Sequence, residues 1–511
     1  MRRAPNGRMV STHDRHDEAA RRRAIRLGSC SRAPVATLAQ GDTKAWLSLN
    51  VLAVSSAQPE SPLRESQAGK VSMFGGLAKR RICLISFATV ACVLVDASLM
   101  SLEKAAAAEP APAATLTGDW GGLRTKLHDM GIDITGGFKV EGVGNVYGEL
   151  PKHWAQAGEF DVGATLDTQK LWGLAGGVLQ TTVTIREGEP PPGDLLQQSA
   201  EVYGRGNIAR LTEFWYRQKL FNDKLTIKFG RIPQGDFDNS SCDFMNLTFC
   251  GAPGGNIVGN YWYNWPIAQW AGWARYDFGD YDVMAGVYET NPRDLDLQFS
   301  PGWFCCATGA MGHFEIGWTP QFGPQKLVGH YQAGVWDDTS GGPDVLIGAN
   351  GQPFSLTGLQ PLHRANRFGF YVQGQQQITG SATYDRDSGW KNNHGLNVFF
   401  DFVQADRATS TLDNQVNAGL TYVGASPQRP NDAIGLAVGR TQYNSRAADS
   451  ILLATPGVQV PQAEYPIEAF YSFQATRWWD VRPDFQYVIH PGGYTKIGNE
   501  ALLGIRTDVK F

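Results

Sequence analysis

The sequence predicts an all-β protein: a closed, antiparallel, sixteen-stranded outer-membrane β-barrel with a short N-terminal helical segment. Three observations predict it. From residue 132 onward, apolar and polar residues alternate with period two in one segment after another. The connections between those segments are alternately long and short. No apolar run of helical membrane length follows Val95, so a passage through a bilayer would fall to strands. Composition agrees, with 59 Gly, 15 Trp, 17 Tyr and 25 Phe but only 18% charged residues. That mixture excludes a disordered, collagen-like or coiled-coil chain. The formal net charge of −4 argues against a nucleic-acid partner.

Residues 1–72 are Arg-rich and aperiodic, and read as a non-native or disordered extension. Lys79, Arg80 and Arg81 then precede the apolar run Ile82 to Val95, and Ala106 and Ala108 suit the −3 and −1 positions of a cleavage site. A basic flank, a short apolar core and small residues at the cut define a secretory signal peptide, here 73–108. Translation from Met73 is the favoured start, against a genuine extended leader. The charge divides at the same place: residues 1–108 carry +8 and the remainder −12. Residues 109–131 form a periplasmic segment in which Leu123, Leu127 and Met130 fall at helical spacing. It either caps the periplasmic mouth or packs as a tail. Residues 132–511 are the barrel domain.

Sixteen alternating segments follow: 132–146, 158–168, 177–187, 210–219, 224–231, 267–278, 281–289, 310–318, 326–336, 367–377, 393–404, 414–423, 432–441, 464–475, 478–490 and 499–511. In the last, Leu503, Ile505 and Val509 share one face, while Arg506 and Asp508 share the other. Side chains alternate across a strand, so one face is apolar and one charged. In lipid every backbone polar group needs an internal partner, so a spanning sheet must close. A charge on the lipid face costs roughly 2–4 kcal/mol at midplane, so charges point inward. Odd-numbered connections average about 20 residues and even-numbered about 7, the outer-membrane pattern of long external loops and short periplasmic turns. A soluble β-sandwich would alternate too, but would not order its loops this way. An even strand count leaves both termini periplasmic.

Cys242, Cys250, Cys305 and Cys306 remain after the signal peptide. Four cysteines allow three pairings. A Cys242–Cys250 loop staple is favoured in an oxidising envelope. Spacing does not suit zinc, and no cofactor is expected.

Several stretches resemble one family. Leu116-Thr-Gly-Asp-Trp-Gly-Gly-Leu-Arg124, followed by Leu127 and Gly131, resembles the N-terminal signature of OprB-type carbohydrate-selective porins. So do Glu213-Phe-Trp-Tyr216 leading to Lys224-Leu-Thr-Ile-Lys-Phe-Gly-Arg231, the stretch Cys242 to Gly251, and Pro483 to Gly493. The likeness spans about 115–511. It implies a sixteen-stranded barrel in the outer membrane of a Gram-negative-type envelope, passing small sugars passively into the periplasm.

A sugar leaves its water only where the wall offers replacement donors and acceptors, weakly enough for release. Inward-facing candidates are Asp161, Asp167, Arg186, Glu213, Arg217, Lys228, Arg275, Glu315, Asp401, Glu468, Asp484, Gln486 and Arg506. Trp215 and Trp273 share their face and suit sugar stacking. The expected substrate-binding set is Glu213, Trp215, Arg217, Lys228, Arg231, Trp273, Arg275, Glu468, Asp484 and Gln486. Connection 232–266 is the longest, carries the run Tyr261-Trp-Tyr-Asn-Trp265, and is expected to fold inward and narrow the pore. The alternatives are a general small-solute porin, a structural envelope barrel and, least favoured, an envelope hydrolase, for which neither Gly-x-Ser-x-Gly nor His-Glu-x-x-His is present. Expected partners are sugars, outer-membrane lipids and the barrel-assembly machinery, engaged through the strand ending in Phe511. Monomer and homo-oligomer are both compatible with the sequence.

Overall fold

The computed structural model describes residues 115–193, 195–204, 206–237, 243–296 and 306–511. The expected extension, the signal peptide with its Met73 start, and Cys242 and Cys305 lie outside the described residues. Sixteen long strands form the wall. They are β1 Ile132–Tyr147, β2 Trp154–Asp167, β3 Gly177–Gly188, β4 Ile208–Leu220, β5 Leu225–Ile232, β6 Gln269–Phe278, β7 Tyr281–Thr290 and β8 Gly309–Trp318. The second half comprises β9 Leu327–Asp338, β10 Arg367–Gln377, β11 Gly389–Ala405, β12 Leu412–Val423, β13 Ala433–Tyr443, β14 Ala463–Gln474, β15 Trp479–Ile489 and β16 Glu500–Lys510. Each pairs antiparallel with the next, and β1 also pairs with β16, which closes the ring. Closure leaves no edge strand for lipid to strand without hydrogen bonds.

The polarity of an ordinary protein is inverted. Phe229, Val287, Phe314, Val335, Val438, Phe485 and Leu503 are exposed on the outer surface. Glu159, Arg186, Gln373, Asn397, Asp401, Gln415 and Arg506 are buried within. An aromatic row, Tyr276, Phe278, Tyr281 and Trp318, stacks ring on ring at centroid spacings of 6.4, 6.0 and 6.2 Å. It stands beside the periplasmic turns, while exposed Tyr147 and Trp154 flank the first external loop. Amphipathic rings at both ends are the girdles of a membrane barrel. No helix among the described residues is long and apolar enough to cross a membrane.

The helix expected near the N-terminus is Leu123–Asp129, and none of its residues is buried. It lies at the rim, where Lys170 Nζ donates to the His128 carbonyl at 2.9 Å. Gly131 follows it at φ +92°, where a Cβ would come within 2.7 Å of the Lys170 Cβ. Asp167 is the last residue of β2. Its carboxylate accepts from the Gln169 and Lys170 amides and caps the helix Thr168–Trp172.

Candidate lumen site: an inner band met by two infolded segments

The site begins with a β-bulge. Thr182 faces Glu213 but Val183 faces Leu211, so Thr212 is an extra residue in β4. A bulge re-aims the side chains beyond it. Here Glu213, Trp215 and Arg217 are partly buried while Phe214 points to lipid. Arg217 lies opposite Lys228 of β5, and Lys228 opposite Trp273 of β6. Lys228 Nζ sits 4.2 Å from the Trp215 ring centroid and 5.7 Å from that of Trp273. Arg275 completes the band, 6.0 Å from the Trp273 centroid. Gly286 of β7 makes room, since a Cβ there would meet Trp273 at 2.6 Å.

Two segments fold in to meet this band. The first is the long connection after β5, residues 233–268. Asp236 near its start bonds Lys228 Nζ and Trp273 Nε1, both at 2.7 Å. The chain then crosses to the far wall, where the short turn Leu247–Phe249 packs on β12 and β13. β5 and β13 stand eight places apart in a ring of sixteen, so the loop spans the lumen. Phe237, Phe244, Phe249, Tyr261, Trp262 and Tyr263 are all fully buried. Trp262 stands edge-on to Trp336 at 5.2 Å, and the Thr248 carbonyl accepts from Gln415 and Asn417, each at 2.8 Å. The inward fold expected of this loop is what the structure places. Cys250 within it is disulfide-bonded.

The second segment comes from the periplasmic side, and the sequence reading missed it. Ser381–Asp385 pairs with the start of β11 as a hairpin. Its tip reaches across the lumen to β4, β6 and β7. Asp387 binds Lys219 at 2.6 Å, Arg217 at 3.1 Å and Arg275 at 3.0 Å. Arg386 binds Asp277 at 2.8 Å and Asp282 at 3.0 Å. Burial alone would raise the Asp387 pKa, but the Lys219 hydrogen bond and the Arg217 and Arg275 charges outweigh it and hold the carboxyl below its ordinary value. One signal was available: fifteen residues separate the predicted strands here, against two to eight in the other periplasmic turns.

Four of the expected sugar contacts are engaged within the protein. Glu468, 1% exposed, accepts from the Met245 and Asn246 amides at 2.6 and 2.9 Å. Gln486, 0% exposed, accepts from Asn246 and donates to the Ser199 carbonyl. Asp484 accepts from Gln486 beneath the same loop. Arg231 bonds the Ala268 carbonyl and Asp294. Glu468, Gln486 and Arg231 thereby satisfy backbone groups that would otherwise be buried unpaired. The six others, Glu213, Trp215, Arg217, Lys228, Trp273 and Arg275, lie together on neighbouring strands. Of the wider inward set, Arg186 pairs with Glu159, and Arg506 with Asp508 and Glu141. Asp161 and Asp401 face inward, and Glu315 accepts from the Tyr371 hydroxyl at 2.5 Å.

Glu201 was not anticipated either. It lies in the external connection 189–207 and binds Lys139 at 2.6 Å, with Arg186 at 3.5 Å. Burial opposes its ionisation, yet Lys139, Arg186 and Arg506 pull its pKa down to about 2.

Residues 152–511 match the family described as carbohydrate-selective porin, OprB family. The chain belongs to the OprB family. It is 34% identical over 426 residues to Porin B of Pseudomonas aeruginosa, covering 78% of this chain and 91% of that protein. It is 28% identical to the putative porin QuiX of Acinetobacter baylyi, covering 78% and 93%. The high-pH structure of OprB from Pseudomonas putida superposes with a TM-score of 0.73 at 34% identity, covering 79% of this chain and all of that one. This OprB-family chain is therefore a carbohydrate-selective porin of the outer membrane and not an enzyme. The hydrolase alternative falls with that.

Proposed function

We propose that small neutral sugars diffuse passively through this barrel past a constriction formed where the inner band of β4–β6 faces Asp236 and Asp387. The observation that carries the reading is the alternation of charge and ring in that band. Lys228 lies over Trp215, and each cation of the band has a carboxylate within ion-pair distance. A neutral polyol can exchange hydrogen bonds with such groups as it passes. A free anion finds the cations already paired, and a free cation finds the carboxylates so. Ring faces suit the C–H face of a pyranose. The polar groups supply orientation, and their pairing keeps binding weak enough for release.

The test is liposome swelling with glucose beside an anionic solute of similar size. Faster entry of glucose is expected. Equal rates would favour a general small-solute porin, and no glucose entry would leave a structural barrel. We further propose that Phe511 presents the closing strand to the assembly machinery. Its amide donates to the Gly136 carbonyl at 2.9 Å, and its ring stands 5.9 Å from Phe160.

A further inference from the structure

The tip of the periplasmic hairpin, Asp385 to Ser388, consists of polar residues alone. Asp385 spends its carboxylate on the tip itself, accepting from the Asp387 and Ser388 amides at 3.0 and 2.9 Å. Asp387 is the carboxylate that the tip presents to the wall. Its two oxygens are held separately. Arg275 Nη2 lies 3.0 Å from Oδ1, while Arg217 Nη1 and Lys219 Nζ lie 3.1 and 2.6 Å from Oδ2. Two guanidinium groups and an ammonium thus converge on one carboxylate.

The wall builds this cradle from its own register. Lys219 of β4 and Arg275 of β6 both stand opposite Thr226 of β5, so they share one level across a short side chain. Arg217 is on the same face as Lys219, two residues earlier. A guanidinium offers parallel N–H donors that match the oxygens of a carboxylate or a phosphate. Among the described residues, Asp387 is the only carboxylate paired with Arg217 or Lys219, and their side chains are 20% and 28% exposed. A solute can therefore touch both. Lys228 beside them is committed to Asp236. The rest of the tip's hold is also polar: Arg386 pairs with Asp277 and Asp282, and its carbonyl accepts from Arg275 Nη1 at 2.9 Å. Partly exposed ion pairs are individually weak and compete with ions of the solvent.

We propose that Arg217, Lys219 and Arg275 form an exchangeable site for an oxyanion, carried as a carboxylate or a phosphate on a small solute, and that Asp387 is its built-in occupant. An anion that takes the place of Asp387 frees the hairpin tip. The site goes beyond the neutral-sugar reading and does not rest on it, because a neutral sugar has no group that replaces a carboxylate. A group tethered on a short chain competes at a millimolar effective concentration, so the solute anion acts in that range.

The experiment uses the whole protein in detergent micelles. The probes are sodium gluconate and inorganic phosphate, each balanced with sodium chloride to constant ionic strength. Hydrogen–deuterium exchange of residues 381–392 reads the hairpin, and calorimetric titration reads binding. Millimolar gluconate or phosphate is expected to speed exchange in that segment severalfold, and glucose to leave it unchanged. A response to gluconate alone assigns the site to carboxylates, and a response to phosphate alone assigns it to phosphates. Asp387→Asn removes the internal occupant. It should bind the same anion severalfold more tightly than the wild type, with hairpin exchange already fast and indifferent to the anion. Adding Lys219→Gln to that variant should weaken binding severalfold. Heat-modifiable migration on gels reports that each variant has folded. A folded Asp387→Asn variant that binds neither probe more tightly than the wild type overturns the site, and so does chloride that speeds exchange as well as either probe at equal ionic strength. Absence of glucose entry in liposomes instead removes the sugar reading and leaves this site standing.

Discussion

Lys228 meets Trp215, Trp273 and the Asp236 carboxylate with one ammonium group. Cation–ring contacts of this kind contribute about 0.5–2 kcal/mol as water is withdrawn. Truncating a ring therefore also loosens the cation it holds. Trp215→Ala and Arg217→Ala should each change glucose conductance more than Glu315→Ala, because Glu315 is buried and accepts from the Tyr371 hydroxyl. Comparable effects in single-channel recordings would disprove the assignment. Asp387 supplies a pH prediction. Its folded pKa is below the ordinary carboxylate value, so its ion pairs are fully present above that ordinary value and are lost as pH falls through the lowered one. Salt conductance should be steady from neutral pH to about 5 and should rise below about 4 as the hairpin loses its hold, given free Asp near 3.9. Asp387→Asn should be more conductive already at neutral pH and should lack the acid step. A variant that keeps the acid step, or one no more conductive than the wild type at neutral pH, would count against the docking role.

Elements differ in how far their sequence reveals them. All sixteen strands were legible, because lipid on one side and water on the other impose alternation on every one. Errors stayed at the ends: the predicted 393–404 is Gly389–Ala405, and 158–168 is Trp154–Asp167. The inward turn of residues 233–268 was legible as well, since Tyr261, Trp262 and Tyr263 cannot all face water. Which inward residues a passing solute meets was not legible. Period two places Glu468 and Arg217 on the same inner surface, and only the packing of distant backbone covers one and spares the other. The hairpin was hidden for the same reason: its inward course depends on Asp387 meeting cations more than a hundred residues earlier. A prediction belongs at this scale. Glu468→Ala leaves two loop amides without their acceptor, and each buried unpaired group costs about 1–3 kcal/mol. The loop should loosen rather than the barrel unfold. Salt conductance should rise at least about twofold, on that energy, with a smaller preference for glucose over an anion. Unchanged conductance and selectivity would show that the loop is held by its aromatic core alone.

The whole molecule joins two solvents through one sheet, and stability and selectivity are therefore written on opposite faces. Inside, charges are tolerated because they are paired, as Arg506 is with Asp508 and Arg186 with Glu159. Outside, no pairing is on offer, and the hydrocarbon tolerates only apolar groups. Val438 lies in the middle of β13 and is half exposed on the outer face, with Ala418 and Ile467 as its register partners. Val438→Arg should cost roughly 2–4 kcal/mol, the cost of a charge on the lipid face near midplane. Reversible unfolding in lipid vesicles measures the difference directly. The same variant, once folded, should pass glucose as the parent does, because the altered side chain never reaches the lumen. A folded channel with unaltered stability would mean that this face does not contact lipid, and an altered sugar flux would mean that the two faces are not independent.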